Sequence, residues 1–304
     1  MNNQRKATLL GLTAVLAWST VATAFKLSLR YLEPVQLLFL ANVFSLAALA
    51  LVLVTQGKLP LLAKATGRQW LRSCGLGLIN PFLYYLVLFK AYDLLPAQIA
   101  QPINFTWALT LAWLSVPLLG QKVGWRHGLA GLICYGGVVI ISTGGSFTSL
   151  AAADPWGVAL ALGSTVLWAL YWIGNTRSDL DPVVGLFIGF AFALPFVTGA
   201  VAVMADFSFS REGLLGGAYV GAFEMGFTFV LWLSAMRLTT STARIANLIF
   251  LAPFLSLVFI HFILDEHIVP ATFIGLVLIV AGLLLQGTGG PERRQPVRPA
   301  KPGF

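Results

Sequence analysis

Eleven side chains in this 304-residue sequence are of types that can hold a small polar ligand inside apolar surroundings: Trp18, Asn80, Tyr84, Gln98, Gln101, Asn104, Trp107, Trp168, Tyr171, Glu224 and Asn247. Their spacing groups them. Asn80 and Tyr84 stand at i, i+4, and at 100° per residue Gln98, Gln101 and Asn104 fall within roughly 120° of one helix circumference. Two successive apolar runs therefore each offer an amide-bearing face. A primary amide away from water needs partners, so such faces either pair with one another or line a wet cavity. Each amide carries both donors and an acceptor, which suits a zwitterion bearing ammonium and carboxylate groups.

Glu224 is the sharpest single residue. Of the eleven acids, Glu33, Asp93, Asp154, Asp179, Asp181, Asp206, Glu212, Asp265, Glu266 and Glu292 fall at the ends of apolar runs, between them or in the tail, and Glu224 alone sits mid-run. A charge at that depth costs at least about 2.5 kcal/mol in lipid and marks a functional candidate. It could bind a substrate ammonium or exchange a proton; equally, a protonated carboxyl could bond a neighbouring helix through Asn80 or Asn247. Trp168, Tyr171, Trp172 and Asn175 form a stripe at i, i+3, i+4 and i+7, with Trp18 at comparable depth in the first run. Aromatic stripes at this spacing pack cores or stack on ligands, and both readings stay open here.

The elements that must position these groups are membrane helices. Hydrophobic residues make up 58% of the chain and charged ones only 10%, against roughly 25% charged in a soluble domain. Ten apolar runs, at about 7–25, 34–55, 73–92, 96–119, 127–145, 156–175, 182–204, 212–236, 242–264 and 270–287, each approach the length that crosses a bilayer. The first is longer than a signal-peptide core and recurs at 156–174, so a retained helix is expected. The fold class is thus all-α polytopic, with a first five-helix unit in 1–150, a second in 151–290 and a disordered, cytoplasmic, Pro- and Arg-rich tail at 291–304. The net charge of +8 reads as a topology signal rather than a nucleic-acid surface. Cys74 and Cys134 fall in or beside apolar runs and suggest neither a disulfide nor a metal site. Phosphate-loop, H-E-x-x-H and G-x-S-x-G motifs are absent, as are paired deep aspartates, so neither an enzyme nor a cofactor is indicated. A membrane enzyme or a structural subunit with self-paired polar faces is the remaining alternative class.

Weak internal similarity links the halves. Ala91 to Leu94 aligns with Ala235 to Leu238, Gly120-Gln121-Lys122 with Leu264-Asp265-Glu266 and Gly131 with Gly275, all 144 residues apart, and Gly144-Gly145 matches Gly289-Gly290 one step out. Leu32-Glu33-Pro34 resembles Leu180-Asp181-Pro182. With five spans per unit, an odd number, the second copy enters from the opposite side, giving an inverted repeat around a central cavity. The cavity is expected between the halves near the midplane, the Asn80–Trp107 stretch facing Glu224 and Asn247. Lys26, Lys90, His261 and Arg244 are expected to snorkel or sit at interfaces.

Ten short spans in two halves, a Trp in the first span of each half and a Gly-rich closing span in each make the chain resemble the drug/metabolite transporter superfamily, EamA type. Within it the chain is most similar to YddG-type bacterial inner-membrane exporters of aromatic amino acids. One departure is visible: Gln121-Lys122 stands where such families often show Gly-Glu, while Asp265-Glu266 keeps an acid in the second copy. The resemblance implies a secondary carrier that exports amino acids, aromatic ones favoured, by alternating access, with lipid and small molecules as its partners. Amphiphilic cations or other metabolites are the alternative cargo, since aromatics with one buried acid suit a cation. Neither oligomeric state nor driving force is indicated.

Fifteen of the 19 Lys and Arg residues fall on one side when the amino terminus is cytoplasmic, leaving Lys26, Arg30, Lys90 and Arg211 outside. Under the positive-inside rule both termini are therefore cytoplasmic. Protease treatment of right-side-out membranes should spare tags at both ends, and cleavage of either tag contradicts this orientation.

Overall fold

The computed structural model describes residues 3–120, 124–146, 153–175, 178–239, 245 and 247–287. The expected tail, Gln121, Lys122, Arg177, Arg244 and Gly289-Gly290 lie outside the described residues. Among the described residues there are helices and no strands. In chain order the helices are α1 Asn3–Ser28, α2 Pro34–Thr55, α3 Gly67–Leu94, α4 Ala97–Leu119, α5 Trp125–Ser142, α6 Pro155–Asn175, α7 Pro182–Met204, α8 Arg211–Met236, α9 Leu248–Leu264 and α10 Pro270–Gln286. All except α5, α9 and α10 are long and apolar enough to cross a membrane. The shorter α9 and α10 are apolar too, and α5 opens with Arg126 and His127 in its first turn. A single short helix, Leu59–Lys64, links α2 to α3.

Local chemistry sets where these helices begin and end. Glu33 and Gln36 form a capping box with Pro34 at the first position of α2, an arrangement that satisfies donors left over at a helix start. Thr66 and Gln69 make the same box and start α3 well before its apolar run, so Arg68 and Arg72 belong to the helix. Asp181 accepts from the Val183 N–H at 2.9 Å ahead of α7, and Ser210 from the Gly213 N–H at 3.0 Å ahead of α8. Gly120 (φ 67) and Asp265 (φ 57) end α4 and α9 in the left-handed region, a common way to stop a helix.

Two helices widen at corresponding places. Leu78–Leu83 in α3 and Val220–Phe227 in α8 are π-helical, a deviation found mostly at functional sites. In α3 the cause is visible: Pro81 has no N–H to donate, and Asn80 leaves helical geometry (φ −139, ψ 116). Close backbone approach accompanies both. A β-carbon on Gly77 would strike the Gly189 backbone of α7, and one on Gly221 the Ala41 carbonyl of α2. Gly77 and Gly221 are themselves 144 residues apart. Ser45 Oγ of α2 donates to Met225 O inside the α8 segment at 2.9 Å, and Asn42 Nδ2 to Phe190 O of α7 at 3.3 Å.

The packing has the same plan in both halves. α1 packs on α8 as α6 packs on α3, and α9 lies on α1 as α4 lies on α6. α2 meets α7, and α5 meets α10, across the halves. The α5–α10 contact is glycine-mediated: a β-carbon on Gly137 would come within 2.5 Å of Gly275 O, and one on Gly275 within 2.6 Å of Gly137 O. Small residues of this kind let membrane helices approach closely. Gly137→Leu should therefore destabilise the protein by about 1–3 kcal/mol, read as a lower thermal unfolding midpoint in detergent, whereas Gly136→Ala, which meets nothing within 4 Å, should leave it unchanged.

Candidate functional site

The widened segments of α3 and α8 put one polar residue each at the centre of the bundle. Asn80 and Glu224 stand 144 residues apart, so the two halves present an amide and a carboxyl at matching positions. Glu224 Oε1 accepts from the Tyr85 hydroxyl at 3.1 Å. Its Oε2 has no hydrogen-bond partner within standard geometry among the described residues; the Trp18 indole is the other polar group acting on this carboxyl. Among the described residues no lysine or arginine pairs with it: the Lys58–Asp181 bridge (2.8 Å) and the Lys90–Asp93 bridge (2.6 Å) lie at helix ends.

Aromatic rings join the two halves around this carboxyl. Trp18 contacts Phe229 (centroids 5.6 Å apart) and Trp232 (5.4 Å). Phe229 also reaches Trp168 at 6.1 Å. Trp168 in turn stacks on Tyr84 at 4.6 Å and on Tyr171 at 5.6 Å, and Trp107 meets Trp168 edge-on at 6.4 Å. Ring pairs at these separations stabilise one another and present faces that attract cations. Tyr84 and Tyr85 are themselves in contact at 4.8 Å and almost fully buried.

The amides divide by position. Asn104 Nδ2 donates to Ser164 Oγ at 2.9 Å and reaches the Tyr84 hydroxyl at 3.5 Å, which places it in the central cluster. Asn80 is 2% exposed, and its Oδ1 has no hydrogen-bond partner among the described residues. It interacts with the Tyr171 hydroxyl beside a cavity of about 10 Å³ shared with Ser73 and Asn175, a volume that holds one water. Gln101 is buried, its Oε1 without a hydrogen-bond partner among the described residues. Gln98 stands apart at the start of α4, with Nε2 donating to His267 O at 3.0 Å and Oε1 accepting from Val269 N and Thr272 Oγ1 at 3.2 and 3.1 Å. Asn247 opens a 3-10 turn, Asn247–Leu251.

Sequence reasoning passed over Tyr85, Phe229 and Ser164 as site residues. Tyr85 and Phe229 are also 144 residues apart, so extending the repeat alignment through the widened segments would have found that pair. Ser164 has no comparable signal. Lys26 does not snorkel: its Nζ donates to Tyr92 O at 2.8 Å and Leu95 O at 3.1 Å. A larger cleft, about 490 Å³, opens between α1, α8 and α9, with Thr20, Thr23, Tyr219 and Phe259 among its walls. The Thr20 and Tyr219 hydroxyls bond across it at 2.6 Å, two residues from Trp18 and five from Glu224.

Comparison with known proteins decides the family. The model of the EamA-like transporter family matches the chain twice, over residues 5–143 and 155–288. The chain belongs to the EamA-like transporter family. It is 27% identical over 299 residues to an uncharacterized transporter of Archaeoglobus fulgidus, covering 93% of this chain and 97% of that protein. Its identity to the uncharacterized transporter YvbV of Bacillus subtilis is 27% over 286 residues, covering 90% and 89%. The aromatic amino acid exporter YddG of Ancylobacter novellus is 25% identical over 245 residues, covering 77% and 81%. A crystal structure with 22% identity shares the fold at a TM-score of 0.64, covering 92% of this chain and 95% of that one. The family member described here is therefore a multi-pass membrane transporter.

The Tyr85–Glu224 bond generates a quantitative expectation, because a bond to a carboxyl contributes about 1.5–3 kcal/mol when its partner would otherwise be left bare. Tyr85→Phe should lower stability by about that amount. The effect should shrink when Glu224→Leu, which leaves the hydroxyl no acceptor, is already present, and a double-mutant cycle on thermal unfolding in detergent measures the coupling. Equal losses in both backgrounds contradict the bond.

Proposed function

We propose that the chain exports amino acids, aromatic ones favoured, across a bacterial inner membrane by alternating access, as a secondary-active or facilitative carrier. Both termini are cytoplasmic in this reading. Ten spans form two inverted repeats of five, in 1–150 and 151–290, with 291–304 as a cytoplasmic tail. The tandem family match and the parallel packing of the halves support that division, and inverted repeats commonly place the substrate between them at the midplane. The name of the Ancylobacter novellus relative favours the same cargo.

The observation that carries the proposal is a carboxyl without a basic partner among the described residues, inside a continuous set of aromatic rings. A substrate ammonium supplies the partner that Glu224 Oε2 lacks, and the ring of an aromatic side chain fits among Trp18, Tyr84, Trp107, Trp168 and Tyr171. Asn80, Asn104 and Gln101 face the carboxylate, because amide N–H groups can donate to it. Asn247, which opens the turn ahead of α9, is the remaining amide of the proposed set. Gln98 joins the site only through the helix it anchors, since its amide is already satisfied by the α9–α10 link. Because the rings touch one another, α1 with α8 and α6 with α3 must part to admit a substrate. The cleft beside Thr20 and Tyr219 is the approach from the outer side.

One observation favours a second cargo. Glu224 has no ion-pair partner among the described residues, so a monocation without a carboxylate would be held there by charge and by the ring faces. Purified protein in proteoliposomes, offered radiolabelled amino acids and amphiphilic cations, separates the two. Phenylalanine, tryptophan or tyrosine flux should dominate, and Glu224→Gln should reduce it about tenfold or more, the equivalent of one lost charged contact. Flux of cations alone favours the second reading. No flux of either class by folded protein contradicts both.

A further inference from the structure

Three segments meet on the turn between α3 and α4, at the end of the bundle away from Arg5 and Lys6. Lys26, near the end of α1, donates from Nζ to Tyr92 O and Leu95 O, carbonyls at the end of α3. Glu266, between α9 and α10, accepts from the N–H groups of Ala97 at 3.0 Å and Gln98 at 3.3 Å, the first donors of α4. A cation thus caps the carboxyl end of one helix, and an anion the amino end of the next, each with the sign that the helix dipole favours. Gln98 closes the contact from the other direction through its three bonds to 267–272. His261 Nδ1 holds Glu266 O at 3.1 Å, which fixes the link that carries the carboxylate.

The helices tied here are the ones that carry Tyr84, Tyr85 and Asn104. Any movement of the α3–α4 corner moves one wall of the central site. At the same end of the bundle the opposite flank, between α1, α8 and α9, is open by about 490 Å³, whereas the α3–α4 turn is held by these polar ties together with the buried apolar contacts of Leu95 and Ala97. Polar ties between separate segments suit a joint that must open and re-form, because water can replace each partner on release.

We propose that Lys26, Glu266 and Gln98 form a latch that holds the α3–α4 corner shut over the site and lets go when that corner swings outward in the transport cycle. They are positioning residues, acting through α3 and α4. The inference rests on the transport reading above. Its test does not share that reading's fate, because it follows access to the site directly. In protein with Cys74 and Cys134 replaced by Ser, a single cysteine at Ser164, which bonds Asn104, is labelled with a membrane-impermeant thiosulfonate reagent from the latch side. Glu266→Gln and Gln98→Leu should each raise the labelling rate about tenfold, and unchanged rates in both overturn the latch. In a second form, cysteines at Gln98 and Thr272 are joined by a short bis-thiosulfonate crosslinker. Flux should stop on crosslinking and return with reductant, and flux that persists through complete crosslinking also overturns it. If no substrate is carried by the parent protein, the transport reading fails while the labelling comparison still decides the latch.

Discussion

A carboxyl group inside an apolar bundle depends on its neighbours, and the Tyr85 hydroxyl at 3.1 Å from Glu224 Oε1 is the bond around which the centre of this protein is built. Tyr85 is fully buried, so its orientation is set by packing as well as by the bond. It brings α3 to α8, and with them Tyr84, Trp168 and Phe229. The carboxyl sits in a widened helical segment, where Ser45 takes up the Met225 carbonyl and Gly221 lets α2 come close. Remove the carboxyl and the hydroxyl loses its acceptor; remove the hydroxyl and, among the described residues, the Trp18 indole is the polar group left acting on the carboxyl. In the proposed reading the second carboxylate oxygen is what remains for a ligand.

The matching positions of the two halves carry different chemistry. Asn80 and Glu224 occupy equivalent points of two similar widened segments, yet one is neutral and the other ionisable. Trp168 packs on Tyr84 of α3, as Trp18 packs on Phe229 of α8. A scaffold of this kind offers a polar substrate one charged end and one amide end across a common aromatic wall. In the proposed reading that polarity favours a zwitterion, with its ammonium on the α8 side and its carboxylate on the α3 side.

Much of the architecture was legible in the residues. Apolar runs located the helices, and the capping pairs Glu33/Gln36 and Thr66/Gln69 and the stop at Gly120 explain their ends. Glu224 stood out because charge is costly at that depth, and Trp18 and Trp168 because of their matching places. Gln98 shows the limit: helical periodicity put it on the face of Gln101 and Asn104, but its bonds to His267 and Val269 of the α9–α10 link and to Thr272 of α10 draw its amide away. Loop contacts between residues some 170 positions apart leave no periodic trace. Tyr85 was hidden for a related reason, since a widened turn shifts which neighbours share a face. Lys26 looked like a residue that reaches for the surface, yet helix-end carbonyls gave it a partner inside.

The central claim is that Glu224 reads a substrate ammonium within the aromatic site. Equilibrium binding to the purified protein tests it most directly, using phenylalanine, phenethylamine, which lacks the carboxylate, and 3-phenylpropionate, which lacks the amine. The account predicts that phenylalanine and phenethylamine bind, that 3-phenylpropionate does not, and that Glu224→Gln abolishes the difference. Binding of 3-phenylpropionate as tight as that of phenylalanine would contradict it.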